Sequence, residues 1–575
     1  MNPEVFFENF ALLAEVPNGV QKLREMILQL ALMGKLVSQD PNDESAYLSL
    51  ERIIAEKKQL GKEGKNGPKP INAINTGQIP YEIPSTWKWT TLSNCGSINP
   101  RNDISDEKEV SFVPMACISE KYGQNIDMEI RKWEEIKKGF THFAENDVVL
   151  AKITPCFQNG KSAVMKGLKN GYGAGTTELH VFRPLKGLIN SDYVLIYIKS
   201  PDFIYNGVPK MTGTAGQKRV TKDYFSENPF PLPPLAEQKR IVDKVDELIA
   251  LCNKLEIRHH KKQELQSKLN SSALDRMLSA ENQEEFEQNW KRICENFDIL
   301  YDNPENVEKL RQAIIQLAVQ GKLVEQNPED EPASELLERI EVEKKKLVKE
   351  GKIKGSKPLA EISDDEILFE VPASWKWARF DDICSYIQRG KSPKYVDESD
   401  FPVIAQKCIQ WDGLKIDRAK FIDPLTVEQY EEVRFLRTGD LLWNSTGTGT
   451  LGRVIVYVHE ENAYDKVVAD THVTVVRSLI VDPYYMNSWI ASPIIQDNIE
   501  SIASGSTNQI ELATSTVKNH LIPLPPLAEQ RRIVEKVEQL MDLCDELESK
   551  LRLARGDSGK LMEAVVKGLL EGATA

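Results

Sequence analysis

Two kinds of segment concentrate side chains able to engage a nucleic acid, and each kind occurs twice. "FAENDVVLAKITPCFQNGKSAV" at 143–164 lies over "LRTGDLLWNSTGTGTLGRVIVY" at 436–457, and "GTAGQKRVTKDYF" at 213–225 lies over "GSTNQIELATSTV" at 505–517. In the first pair an apolar, strand-like run enters a loop of Asn, Gln, Thr, Ser, Lys and Arg. Asn and Gln can pair with adenine through two hydrogen bonds, Arg and Lys with guanine, Ser and Thr with either, and the cations also meet phosphates. A third candidate loop sits earlier in each half, "NPRNDIS" at 99–105 and "QRGKSPKY" at 388–395. The candidate contact residues are Arg101, Asn102, Lys152, Gln158, Asn159, Lys161, Gln217, Lys218 and Arg219 in the first half. In the second they are Arg389, Lys391, Lys394, Asn444, Thr446, Arg453, Asn508 and Gln509. A solvated hairpin accounts for one polar, Gly-containing loop; repetition in both halves favours the binding reading.

Other motifs fail on their context. Gly447, Gly449 and Gly452 spell GxGxxG, but a phosphate loop must open a helix, whereas "RVIVYV" continues as a strand. Asp202 followed by Glu237-Gln238-Lys239 imitates the metal-binding carboxylates and lysine of a nuclease. The aligned residues of the second copy are Ile494 and Glu529-Gln530-Arg531, so one acidic ligand is missing, and a glutamate at a helix start is explained by the positive helix end. His180 and His472, 292 residues apart, share a register in this alignment. Without a recurring Asp or Ser beside them they are expected to be structural strand histidines. No Asn-Pro-Pro-Tyr/Phe signature of an amino-methyltransferase occurs; "NPFP" at 228–231 is not one.

The formal charge of −14 excludes a generic polyanion-binding surface, so nucleic-acid contact must be local. Residues 81–230 hold 19 Lys and Arg against 17 Asp and Glu, and residues 369–522 hold 15 against 21, which confines any contact in the second half to a narrow face. No window approaches the ~20 apolar residues of a membrane span. The start, "MNPEVFFENFALLAEV", lacks the pattern of a signal peptide, so the mature chain is expected to begin near Met1. Eight cysteines without CxxC spacing read as reduced thiols of a cytoplasmic protein, with neither disulfide nor zinc.

The elements that must hold these loops are themselves duplicated. "PLPPLAEQKRIVDKVDELIALCNKLE" at 231–256 returns as "PLPPLAEQRRIVEKVEQLMDLCDELE" at 523–548, with 18 of 26 positions identical. "KLREMILQLALMGKLVSQDP" at 22–41 matches "KLRQAIIQLAVQGKLVEQNP" at 309–328, and "IPSTWKW" at 83–89 matches "VPASWKW" at 371–377. The chain is therefore two copies of a unit of about 290 residues. In each, a helix ends at Gly34 or Gly321, suited to a left-handed C-cap, and "SAYLSLERIIAEKKQL" or "ASELLERIEVEKKKL" forms the next. The Pro-Leu-Pro-Pro segment opens a helix in which Ile241, Val245, Leu248, Cys252 and Leu255, like Ile533, Val537, Leu540, Cys544 and Leu547, follow coiled-coil spacing. "RHHKK" at 258–262 interrupts the first run, where the helix is expected to bend or to change partner.

The expected fold is α+β: an internal duplication with pseudo-twofold symmetry, in which two β-rich α+β domains are joined by two long antiparallel coiled-coil helical regions. The parts are an N-terminal helical region (1–80), a first globular domain (81–230), a central helical region and linker (231–368), a second globular domain (369–522) and a C-terminal helical region (523–575). Segment 231–350 should pair internally, and the chain ends should meet.

Duplicated Pro-Leu-Pro-Pro-Leu-Ala-Glu-Gln helices, each after a variable domain carrying such loops as "AKITPCFQNGK" and "GTAGQKRVTKDYF", resemble the specificity subunits of type I restriction-modification systems. The resemblance covers nearly the whole chain. The second domain departs from it with "WNSTGTGTLGR", as it should if the two read different sequences. It implies two target-recognition domains, each contacting one half of a bipartite, asymmetric site on double-stranded DNA, and helical regions that set the spacing and bind two modification subunits. It also implies that catalysis lies in partners: modification subunits that methylate adenine with S-adenosylmethionine, and restriction subunits that translocate and cut with ATP and magnesium. The chain itself is then non-catalytic and holds no cofactor. The rivals are a single-chain methyltransferase or nuclease, and a coiled-coil adaptor that never touches DNA.

Overall fold

The computed structural model describes residues 10–63, 79–214, 216–281, 283–355, 359–447, 449–503 and 510–571. It divides into two compact units, residues 1–263 with 554–575 and residues 264–553. Two helices of 44 and 45 residues, Leu235–Leu278 and Leu527–Glu571, each begin in one unit and end in the other. At 1.5 Å per residue each is about 66 Å long. Helix Leu235–Leu278 runs unbroken through "RHHKK" and changes partner there, as one of the two expected outcomes has it: Ile241, Val245, Leu248 and Cys252 lie in one core, Leu274 and Met277 in another.

The first unit is built on helix Gly19–Leu32, whose apolar face (Leu23, Met26, Ile27, Leu30) shares one core with Ile241, Val245, Leu248 and Cys252 of the first long helix. The 4-3-4-3 seam is thus buried. Met562, near the end of the chain, lies in this same core, and Lys22 pairs with Glu563 at 3.2 Å, so the two ends do meet. In the second unit Leu274 and Met277 pack with Ile293, Val307, Leu310 and Cys544, which is the internal pairing expected of the central region.

The globular part of each unit has one plan. A two-stranded ribbon (Lys88–Thr90 with Phe230–Leu232; Lys376–Arg379 with Leu521–Leu524) joins its entrance to its exit. A four-stranded antiparallel sheet follows, ordered Gly96–Ile98, Leu179–Pro184, Val148–Ala151, Ser162–Val164 in the first unit and Cys384–Arg389, Val473–Ser478, Leu441–Asn444, Val454–Val456 in the second. A second four-stranded sheet contains one parallel pair in each unit: Glu109–Val113 with Tyr172–Gly175, and Pro402–Ile404 with Val468–Ala469. The central strands are apolar on both faces because they are covered on both, as in "VVLA", all four of whose residues are buried.

The repeated motifs form one clasp, present twice. The buried Trp87 donates its indole N–H to Glu237 Oε2 at 3.0 Å, and Gln39 Nε2 donates to Glu237 Oε1 at 2.5 Å. Trp375, Gln326 and Glu529 repeat this at 3.0 and 2.5 Å. The next residue, Gln238 or Gln530, accepts from the backbone N–H of Asn190 or Asp482 at 2.9 Å in each case, which ties the long helix to the globular part. Arg240 with Asp43 (2.6 Å) and Arg532 with Asp330 (2.7 Å) complete the set. The glutamates are therefore more than helix-end charges: burial raises both carboxyls above the usual range, and each has two side-chain donors.

Gly34 and Gly321 adopt φ of 67° and 71° after helices Gly19–Leu32 and Pro304–Val319, as the sequence predicts for C-caps. A Cβ would lie 2.5 Å from Pro84 Cγ or 2.6 Å from Pro372 Cγ, so the segment leading into the Trp-Lys-Trp strand needs a glycine there too.

One expectation fails on register. Leu150 faces His180 across the ladder, whereas the equivalent Trp443 faces Thr474; His472 N–H to Asp470 and its carbonyl to Ser445 place it where the first unit has Glu178. The histidines are not counterparts. Loops of unequal length shift the offset from 292 to 294 at this strand, and a one-face strand pattern does not disclose such a slip.

Candidate nucleic-acid interface

Each first sheet ends in a loop pair held by backbone hydrogen bonds. In the first unit Lys152 N–H donates to Glu178 O (2.9 Å), Val220 N–H to Lys152 O (2.8 Å) and Thr154 N–H to Lys218 O (2.9 Å). Isolated bridges pair Arg219 with Ile153 and Thr212. The polar loops predicted at 143–164 and 213–225 are thus joined edge to edge. Phe157, fully buried and 6.3 Å from the Phe203 ring, roots the first of them. Gln158 and Asn159 next to it are exposed, as are Gln217 and Lys218 of the second loop.

The second unit repeats the joint. Ser445 N–H donates to His472 O (2.9 Å), Leu512 N–H to Ser445 O (2.8 Å), and Thr446 bridges Glu511. The early loop enters here as well: Arg389 reaches Glu511 Oε2 at 3.1 Å and Leu512 O at 2.6 Å. Glycines 447, 449 and 452, at φ 99°, 78° and 87°, turn the chain back into strand Val454–Val456, and no helix follows.

Several predicted residues face outward, and others are held by neighbours. Arg219 makes a two-pronged contact with Glu178 (2.8 and 2.8 Å), which holds that carboxyl below its ordinary range. Asn159 donates to Glu120 at 2.8 Å. Gln158, Lys161, Gln217 and Lys218 have no side-chain hydrogen-bond partner among the described residues. Arg453 is tied to Gln410 Oε1 (2.7 Å) and Gly449 O (2.9 Å), Thr446 Oγ1 lies 2.7 Å from His472 Nδ1, Lys394 pairs with Asp423 (2.8 Å), and Lys391 lies over the Tyr430 ring at 5.3 Å. Arg101 Nη1 lies 3.4 Å from His142 Nε2, on strand Thr141–Ala144 of the second sheet. Asn508 and Gln509 fall outside the described residues.

Two candidates do structural work. Asn444 is fully buried at a strand end and donates to Gln406 O at 3.1 Å. Asn102 donates to Phe143 O (2.8 Å) and accepts from Arg183 Nη2 (2.9 Å), so both ends of its amide are occupied. Arg183 is in turn locked to the buried Asp147 at 2.7 and 2.8 Å, and Arg477 with Asp440 reproduces that pair. Both asparagines belong to the frame. Polarity put them among the candidates; the strand pleat turns Asn444 inward, and Phe143 O and Arg183 occupy Asn102.

His180 is buried, donates toward Val220 O at 3.1 Å and stacks on Phe225 with centroids 5.3 Å apart. Burial pushes its pKa down to about 4, which keeps the ring neutral, so it braces the second loop as a structural histidine should. Sequence reading missed Glu178, Gln406, Gln410 and Glu511, which orient the cations and hydroxyls. It also missed Trp411, 56% exposed at the tip of hairpin Ile409–Gln410/Gly413–Leu414. An aromatic residue between "CIQ" and "DGL", a turn signal, was the available clue.

With this geometry in place, comparison with known proteins is specific. The family described as "Type I restriction modification DNA specificity domain" matches residues 84–267 and 372–554. The specificity subunit of the type I restriction enzyme EcoEI of Escherichia coli is 41% identical over 565 residues, 96% of this chain and 94% of that one. That of EcoAI, also of Escherichia coli, is 40% identical, over 95% of this chain and 93% of that one. A solved chain from work on complex assembly and conformational transition of a type I R-M system covers 85% of this chain and 98% of its own at a TM-score of 0.50 and 18% identity, a likeness of fold.

Proposed function

The chain belongs to the type I restriction-modification DNA specificity family, a specificity subunit for DNA target recognition, and from that premise we propose how it reads its target. Each unit addresses one half of a bipartite, asymmetric duplex site through its paired loops. The observation that supports this is the recurrence of one backbone-held loop joint in both units with different side chains on it: Lys152, Gln158, Asn159, Lys161, Gln217, Lys218 and Arg219 in one, and Thr446, Arg453 and Arg389 in the other. Base-edge contacts specify sequence and backbone contacts position the protein, so one frame with two side-chain sets suits two different half-sites. Arg101, Lys391 and Lys394 are outlying candidates for phosphate contacts.

The chain acts without chemistry of its own in the cytoplasm. Two modification subunits dock on the helical regions and methylate adenine with S-adenosylmethionine, while restriction subunits supply ATP- and magnesium-dependent cleavage. No described helix is long and apolar enough to cross a membrane. The test is to purify the chain with and without modification subunits, supply S-adenosylmethionine and mixed DNA, and sequence the methylated product. One bipartite motif, seen only with partners, is expected; methylation or cleavage by the chain alone with magnesium overturns the proposal.

A further inference from the structure

The loop leaving each first sheet ends in a glycine of left-handed conformation, Gly160 (φ 68°) and Gly452 (φ 87°), which occupy equivalent places 292 residues apart. Each glycine's carbonyl is held by a side chain of the helical segment packed beneath, yet the two side chains are not counterparts. In the first unit Lys199, the last residue of helix Ser191–Lys199, donates to Gly160 O at 2.9 Å. In the second unit the equivalent of Lys199 is Ala491, which has no donor, and Gln496 five residues later donates Nε2 to Gly452 O at 3.1 Å.

Lys199 is saturated. Its three N–H donors meet three backbone carbonyls, Ser119 O at 3.2 Å, Glu120 O at 2.9 Å and Gly160 O. Glu120 in turn accepts from Asn159, a candidate contact residue of the loop. Burial pulls the ammonium's pKa down to about 7 against the pull of Glu120. Gln496 is equally occupied: the same Nε2 also reaches Ile490 O at 2.7 Å. A carbonyl satisfied twice by unrelated donors marks the place that must be held.

We propose that Lys199 and Gln496 are positioning residues for target recognition, each latching the exit of one reading loop and so fixing the geometry in which Gln158, Asn159 and Lys161, or Thr446 and Arg453, meet their half-site. The inference rests on the proposed half-site reading. A loosened loop forfeits the alignment that base contacts need, and loss of a good base contact is worth about 10- to 100-fold in discrimination. Two units with separate latches should lose it separately.

The experiment uses the chain assembled with its modification subunits and compares methylation of the intact site with that of sites altered by one base pair in either half. In Lys199→Met, discrimination in one half should fall roughly 10- to 100-fold while the other half keeps its wild-type value. Gln496→Leu should show the mirror-image pattern, and Lys199→Arg should restore most of what Lys199→Met loses. Thermal melting is followed in parallel. If Lys199→Met aggregates, Gln496→Leu, which removes only a neutral amide, decides. Equal loss in both halves, or full discrimination in both variants, overturns the latch. A wild-type complex with no sequence preference overturns instead the half-site reading beneath it.

Discussion

The clasp can be measured in free energy. Glu237→Ala strips the acceptor from the Trp87 indole N–H at 3.0 Å and from Gln39 Nε2 at 2.5 Å, and Trp87 is buried. An orphaned buried donor costs about 1–3 kcal/mol, and the half-exposed Gln39 recovers part of its loss from solvent, so the expected destabilisation is about 2–4 kcal/mol. Because the chain has two units, global two-state unfolding is the wrong assay. Native-state hydrogen exchange read by mass spectrometry across a urea series resolves peptides covering 88–95 and 230–245 from their second-unit equivalents. Glu529→Ala, with identical clasp distances, should lower the second unit by a similar amount and leave the first alone. Protonation gives a second readout. Both carboxyls have pKa values raised by burial, so their contribution to stability is complete below about pH 4.5 and declines as pH rises through the raised folded values. Glu237→Gln should abolish that decline. A loss under about 0.5 kcal/mol in either alanine variant would refute the claim that these glutamates hold helix to domain, since one orphaned donor alone exceeds it.

Three further outcomes follow from local geometry. Gly321→Ala and Gly351→Ala both place a side chain at φ near 70°, but only the first meets a Pro372 atom at 2.6 Å, so it should cost the second unit about 1–3 kcal/mol more in native-state hydrogen exchange. Arg219→Ala should weaken binding of the assembled complex to its site by about 1–3 kcal/mol and relax one position if Arg219 contacts a base. If it contacts a phosphate, the change weakens all sequences alike and reduces the salt slope by about 1; unchanged binding removes Arg219 from the interface. Trp411→Ala should leave melting unchanged because the ring is 56% exposed, and a quench of tryptophan fluorescence on duplex binding that the variant lacks would place the ring at the interface, whereas an equal quench in both removes it.

Much of the frame was legible because it is written in long patterns. The 290-residue repeat, the apolar seam from Ile241 to Cys252, and Gly34 and Gly321 as helix stops all rest on periodicity or backbone geometry that few residues permit. The site was less legible because polarity does not say which way a side chain faces. Asn102 and Asn444 have the chemistry of base readers, but a strand pleat or an Arg183 neighbour commits them inward. Glu178, Glu511 and Gln406 were passed over because a search for DNA-binding residues favours cations and amides near loop tips, whereas these groups act by orienting others. Local sequence does not bring Glu178 to Arg219, 41 residues away; the sheet does.

The division between frame and loop explains how one chain can carry two different readers. The joints that hold the loops run through main-chain atoms: Lys152 N–H to Glu178 O and Ser445 N–H to His472 O occupy the same place with no side chain in common. A main-chain bond is indifferent to substitution, so residues on the loops can change while the strands beneath keep their register. Two of the frame's buried side-chain pairs recur unchanged: Asp147–Arg183 as Asp440–Arg477, and Trp87–Glu237 as Trp375–Glu529. A buried ion pair that loses one partner leaves an uncompensated charge costing about 3–5 kcal/mol, whereas an exposed loop residue costs little. Divergence of side chains is therefore least costly on the loops, where the proposed reading places specificity. The latch residues lie between these classes, since Lys199 and Gln496 show that the held carbonyl is fixed while the donor holding it is free to change.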